Sequence, residues 1–280
     1  MVPELLTRDI TVKGQILRRK EKIRGMGKKI VVTGRGGTGK STFVALASRY
    51  LAAPMLLIDI DPDQSLAEML GIDLEQESVR TISNALYGII EERRHDGGNP
   101  MPLHDRMEYL LNRECLYEGK RFDLIVLGTK LTEGCYCVPD DLIKAIIPKL
   151  ANYYPNVVID SPAGLEHLNR KIASDIDDLF VILDPSSKSL KHIARIKDIT
   201  HQIGIRYSHL YLVGNYSFDR DTEEYLKSTG EAYLGKIEYD ADVQGYNLAG
   251  KSLLDLPENS PASLSVKEIL ANAAKTTGRD

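Results

Sequence analysis

The chain has 280 residues and a net charge of −4, with 42% hydrophobic and 27% charged residues. This is a globular composition, enough for one or two domains at roughly 150 residues each, and the charge balance excludes a whole-protein positive field that would draw it onto nucleic acid. Three cysteines, Cys115, Cys135 and Cys137, are too few and too odd in number for a secreted disulfide scaffold. No stretch approaches the ~18 apolar residues of a membrane span. The N-terminus shows no apolar signal region with a cleavage site, so a cytoplasmic protein without membrane or nucleic-acid partners is expected.

Residues 1–27 read as a basic extension: from Lys13 to Lys29 there are eight Lys or Arg against one acid, Glu21. Such a run is a solvated tail or a docking arm for an acidic partner. From residue 28 to 280 the pattern is that of one domain in which short apolar runs alternate with helical periodicity. Strands are predicted at Lys29–Thr33, Met55–Ile60, Phe122–Leu127, Asn156–Asp160, Leu179–Leu183, Leu210–Val213 and Ala232–Ile237. Several are apolar on both faces, as strands of a buried parallel sheet are. Helices are predicted at Ser41–Leu51, Ser83–Arg94, Asp140–Asn152, Leu190–Gly204, Thr222–Ser228 and Pro261–Lys275. The alternation specifies an α/β fold, a doubly wound, mostly parallel sheet with helices on both faces. Residues 91–119 are the least regular and read as an insertion or mobile loop.

Gly34-Arg35-Gly36-Gly37-Thr38-Gly39-Lys40-Ser41 fits GxxxxGK[ST] between an apolar run and a helix. The glycines let backbone N–H groups converge on phosphate oxygens, Lys40 neutralises β/γ charge, and the Ser41 hydroxyl ligates Mg²⁺, with Thr42 following in the helix's first turn. The helix N-terminus adds its positive end to the same site. Two further strands end in carboxylates: Leu56-Leu57-Ile58-Asp59-Ile60-Asp61-Pro62-Asp63, and Val157-Val158-Ile159-Asp160, which opens a DxxxG ending at Gly164. Ligands bind this end of a parallel sheet, whereas an isolated Asp after a strand is commonly a helix cap.

Cys135 and Cys137 are one residue apart, a strained spacing for a disulfide. They could be buried core thiols or half of a four-thiolate metal site, which a two-fold dimer would complete. Such ligands chelate a soft or borderline metal, and four thiolates suit Zn²⁺. Cys115 reads as structural, and His167 as a packing residue or a neighbour of the metal.

The phosphate loop resembles the deviant Walker A loop of the MinD/ParA/nitrogenase iron protein class, usually GKGGxGK[ST]. The resemblance implies an ATP-sandwich homodimer. It places the class's signature lysine, which reaches the partner's nucleotide, at Arg35; arginine keeps the charge and widens the donor fork. It implies that Asp61 activates the attacking water, that Asp59 supports Mg²⁺ hydration, that Asp160 holds Mg²⁺ through water, and that Gly164 bonds the γ-phosphate. Gly214-Asn215-Tyr216-Ser217-Phe218 stands where GTPases carry N-K-x-D, with Phe218 in place of the guanine-reading Asp, so Asn215 is expected to contact adenine. Taken with Gly134-Cys135-Tyr136-Cys137 and Asp160-Ser161-Pro162-Ala163-Gly164-Leu165-Glu166-His167-Leu168, the loop is similar to the CooC family, nickel-accessory ATPases of carbon monoxide dehydrogenase, and to the related accessory ATPase of acetyl-CoA synthase. That resemblance implies a homodimer that binds Ni²⁺ through paired CxC segments and couples ATP hydrolysis to nickel delivery. A positioning ATPase of the MinD/ParA kind and an iron–sulfur redox ATPase like nitrogenase iron protein are the alternatives.

Overall fold

The computed structural model describes residues 27–96, 103–129, 144–145, 150, 152–164, 175–276 and 278. Eight strands form one sheet in the order β3-β4-β2-β5-β1-β6-β7-β8. These are β1 (Lys28–Gly34), β2 (Met55–Asp59), β3 (Leu116–Glu118), β4 (Phe122–Val126), β5 (Asn156–Asp160), β6 (Asp175–Leu183), β7 (Arg206–Gly214) and β8 (Ala232–Lys236). All neighbours run parallel except β3, which pairs antiparallel with β4 at the edge. Every residue of β2, β4 and β5 is buried, which is why these strands read as mostly apolar runs, interrupted within β4 by Asp123 and closed in β2 and β5 by Asp59 and Asp160.

The helices among the described residues are α1 (Lys40–Ala47), α2 (Ser65–Met69), α3 (Ile82–Asp96), α4 (Leu103–Glu114), α5 (Ser187–Ile203), α6 (Arg220–Ser228), α7 (Ala241–Leu248) and α8 (Pro261–Thr276). They cover both faces. Ile30, Val32, Leu57, Val158 and Phe180 share one core with α1 and α8. Val31, Ile58, Ile159 and Val181 point the other way, into the core beneath α3, α4 and α5. Phe43 of α1, Phe180 of β6 and Tyr211 of β7 form a chain of rings with centroids 5.2 Å apart at each step. The apolar stripe of α8 is spent on this core: Val266, Ile269 and Ala273 are buried, and Tyr211 donates to the Ala273 carbonyl at 3.3 Å.

The doubly wound sheet is therefore as expected, with differences at its margins. β6 and β7 begin four residues earlier than predicted, because Asp175, Arg206, Asp178 and His209 pair side by side where alternation had looked polar. The irregular segment 91–119 contains the end of α3, all of α4 and β3. Its helix carries Leu103, Met107, Leu110 and Leu111 at helical spacing, a period that the reading of this segment as irregular missed, and Leu110 and Leu111 reach the core. Cys115 lies fully buried there, its thiol pushed up to about 12 by burial, which makes it inert packing. Of the basic run, Lys28 and Lys29 belong to β1 and the remainder falls outside the described residues, as does most of the predicted helix Asp140–Asn152. Among the described residues no helix is long and apolar enough to cross a membrane.

Candidate functional site

β1 ends at Gly34, where φ is +155° and an added Cβ would run into the Ile182 carbonyl of β6. The chain can pass this close to the neighbouring strand only without a side chain. The loop that follows delivers Gly39, with φ +96°, as the N-cap of α1, and no side chain caps this helix. Its first amides are therefore turned toward the loop, the arrangement that binds anions. Within the loop, Thr38 Oγ1 donates to the Arg35 carbonyl at 2.9 Å and Lys40 Nζ to the same oxygen at 3.3 Å. Both side chains are buried, so the ammonium is held at the mouth of the loop.

Two carboxylates stand at the C-terminal ends of β5, the neighbour of β1, and β2, the strand beyond it. Asp59 and Asp160 are partners in the β2–β5 register and both are fully buried. Asp59 is committed to the backbone: Oδ1 accepts from Asp61 N at 2.9 Å and Oδ2 from Leu66 N at 3.3 Å. Burial, then the Asp160 charge, push its pKa well above the carboxylate range. Asp160 is different, since neither carboxylate oxygen makes a hydrogen bond of normal geometry. Burial raises its pKa to about 7, opposed by the nearby Ser41 hydroxyl and the Lys40 charge. A buried acid with two unsatisfied oxygens beside a hydroxyl and an ammonium is matched to a divalent cation.

Asp61 sits on the loop after β2, half-exposed, where its Oδ1 accepts from Asp63 N at 3.1 Å. Gly164, φ +97°, donates to the Gly34 carbonyl at 3.4 Å, so the segment after β5 lies against the phosphate loop. Asn215 follows β7 and accepts from Ser217 N at 3.0 Å through its side-chain oxygen, leaving its NH₂ as donor. It lines a pocket of about 390 Å³ with Gly37, Thr38, Gly39 and Thr42 on the loop side and Tyr216, Tyr239 and α7 residues Gln244 and Asn247 opposite. Tyr216 and Tyr239 meet edge to face at 5.9 Å across its rim.

Gly34 through Thr42, Asp59, Asp61, Asp160, Gly164 and Asn215 are thus gathered along the C-terminal edge of the sheet. Arg35 is in that neighbourhood but turned onto its own chain. Its guanidinium reaches Asp184 Oδ2 at 3.3 Å and Ser186 Oγ at 3.0 Å. Ser186 is also the N-cap of α5, accepting from Ser189 N at 3.1 Å. Sequence reasoning missed Asp184, although it ends a strand just as Asp59 and Asp160 do. It also missed Tyr239 and α7, which no local pattern ties to the loop. Cys135, Cys137 and His167 lie outside the described residues, and among the described residues no cluster of three or more His, Cys, Asp or Glu is placed to hold a metal.

Residues 29–254 match the CbiA family, the CobQ/CobB/MinD/ParA nucleotide binding domain. The chain belongs to this family. An uncharacterized ATP-binding protein of Methanocaldococcus jannaschii, MJ0685, is 34% identical over 248 residues, covering 86% of this chain and 96% of that protein. Carbon monoxide dehydrogenase accessory protein CooC of Rhodospirillum rubrum is 29% identical over 244 residues, 84% of this chain and 91% of CooC. Among solved structures, MinD of Pyrococcus horikoshii complexed with Mg-ADP superposes with a TM-score of 0.62 at 18% identity, covering 90% of this chain and 98% of that one. At that identity it speaks to the fold, an eight-stranded sheet of the MinD/ParA kind.

Proposed function

We propose that this protein is a Mg²⁺-dependent ATPase that works as a homodimer and couples ATP hydrolysis to nickel insertion into an enzyme of the carbon monoxide dehydrogenase or acetyl-CoA synthase type. The observation that carries the ATPase reading is the unpartnered, buried Asp160 carboxylate beside Ser41 and Lys40 at the uncapped N-terminus of α1. In this reading Lys40 and the loop amides take the β- and γ-phosphates. Ser41 and Asp160 hold Mg²⁺, which supplies charge neutralisation between the phosphates. Asp61 orients the attacking water, and the Gly164 amide meets the γ-phosphate when it leaves the Gly34 carbonyl. Asn215 donates to an acceptor on the adenine, which the pocket with Tyr216 and Tyr239 receives. Asp59 serves the site by fixing the two ends of the Asp61 loop through backbone amides. Arg35 acts on the partner's nucleotide once it has left Asp184.

The nickel part of the proposal is supported by the similarity to CooC along most of both chains and by the Cys135–Cys137 spacing. Two such pairs across a two-fold axis give four thiolates, a set that also takes Zn²⁺. The test is sizing of the purified protein with Ni²⁺, Zn²⁺, ADP and ATP in turn, alongside phosphate release. Dimerisation driven by Ni²⁺ and ATP, with turnover lost in Lys40→Ala, is the expected result. A chain that hydrolyses ATP yet ignores Ni²⁺ in size and binding would overturn the metal role.

A further inference from the structure

The loop that carries Asp61 leans on a residue from another strand. Beyond β4, Thr129 places its hydroxyl between two residues of that loop that follow Asp61: Oγ1 donates to the Pro62 carbonyl at 3.0 Å and accepts from Gln64 Nε2 at 3.2 Å. Gln64 holds φ +55°, a left-handed conformation uncommon for a residue with a side chain, and its amide closes the turn on the Asp61 carbonyl at 3.1 Å. Such a backbone persists where its surroundings fix it.

Thr129 is itself anchored from below. Leu127 N donates to the Asp59 carbonyl at 2.8 Å, Ser83 N to the Leu127 carbonyl at 2.9 Å and Ser83 Oγ to the Gly128 carbonyl at 3.3 Å. Gly128 has φ +79° and is wedged so tightly on Thr81 that a Cβ would collide with it. The start of α3 therefore sets where Thr129 stands, and Thr129 sets the loop.

We infer that Thr129 is a positioning residue for ATP hydrolysis: its hydroxyl ties Pro62 to Gln64, the residues that follow Asp61 in the turn Gln64 closes on the Asp61 carbonyl, and so holds Asp61 in register with the phosphate loop. The inference rests on the reading of Asp61 as the residue that orients the attacking water. One exposed hydroxyl with two hydrogen bonds corresponds to about threefold to tenfold in rate.

The experiment compares steady-state ATP hydrolysis and equilibrium ATP binding in the full chain and in Thr129→Val, Thr129→Ser and Asp61→Ala. Thr129→Val keeps the shape and removes the hydroxyl. It should lower kcat about threefold to tenfold while KM and ATP affinity stay within about twofold, and Thr129→Ser should recover the rate. Parental kcat in Thr129→Val, an affinity loss matching the rate loss, or a Thr129→Ser as slow as Thr129→Val would overturn the inference. If Asp61→Ala hydrolyses ATP at the parental rate, the reading of Asp61 itself fails and the inference falls with it.

Discussion

Asp59 and Asp160 stand opposite one another in the β2–β5 register, both fully buried, yet only Asp59 spends its oxygens on the protein. The pair divides the labour of the site. One carboxylate shapes a loop, and the other is the one that the proposed function gives to Mg²⁺.

The first prediction concerns pH. Burial raises Asp160 to about 7 from its ordinary 3.8, so the folded chain holds a proton there that the unfolded chain has released. Between about pH 4 and pH 7 the folded state binds more protons, and stability without ligand falls as pH rises, levelling off above 7. The ceiling on this loss is of the order of 4 kcal/mol. Asp160→Asn should flatten much of that slope in urea titrations between pH 4 and 8, Asp59 supplying what remains. Mg²⁺ needs the ionised carboxylate, so Mg²⁺-dependent ATP binding should strengthen through pH 7 and lose that rise in Asp160→Asn.

Arg35 gives the second prediction. Its pairing with Asp184 is partly exposed and lies at 3.3 Å, which limits it to about 1 kcal/mol or less. Releasing it by Asp184→Ala should favour the ATP-dependent dimer by up to about fivefold for each of the two arginines, about thirtyfold in all, read by sedimentation at graded protein concentration. Arg35→Ala should keep ATP affinity and lose turnover by about tenfold or more, whereas Arg35→Lys should keep most of it. Equal dimerisation of Asp184→Ala and the parent would remove the argument that the pairing restrains the arginine.

How much of this was legible beforehand depended on whether a feature is local. The phosphate loop could be read because its motif is eight consecutive residues, and β1, β2, β4 and β5 because each is a short run buried along almost all its length. The strand-end carboxylates followed from the same runs. α7 could not be read, since none of its residues is buried and so no apolar period marks it. β3 has three residues and exists only through its pairing with β4. Thr129 and Gln64 are 65 residues apart, and their contact is a product of the fold. Arg35 was recognised by its place in the loop, but its hold on Asp184 crosses from β1 to β6, a relation that spacing does not encode.

The third prediction tests the coupling of α1 to the sheet. Phe43 is almost wholly buried against Phe180, which in turn packs on Tyr211. Phe43→Ala would leave a cavity directly under the helix that presents Lys40 and Ser41. The expected cost is about 3–5 kcal/mol in urea unfolding. Phe43→Leu fills most of the space and should cost far less. ATP should stabilise Phe43→Ala less than the parent, because the loop is carried by the helix that loosens.

The last prediction separates metal from nucleotide. Cys135 and Cys137 are both removed in a double change to Ser, which nearly keeps the size at each position and removes the thiolate. If they are the thiolates of a site shared across a two-fold axis, the parent takes up one Ni²⁺ per dimer and the double variant takes up none in equilibrium dialysis. Loading requires deprotonated thiols, so Ni²⁺ affinity should fall as pH drops below the thiol range. ATP affinity of the isolated chain should be unaltered, because the loop, Asp160 and the base pocket are built from residues 34–42, 59–61, 160–164 and 214–248. Coupling would show as Ni²⁺ binding that tightens with ATP and, by reciprocity, ATP binding that tightens with Ni²⁺ by the same factor. A Ni²⁺ stoichiometry unchanged by the double substitution would be incompatible with this site, whatever the ATPase activity proves to be.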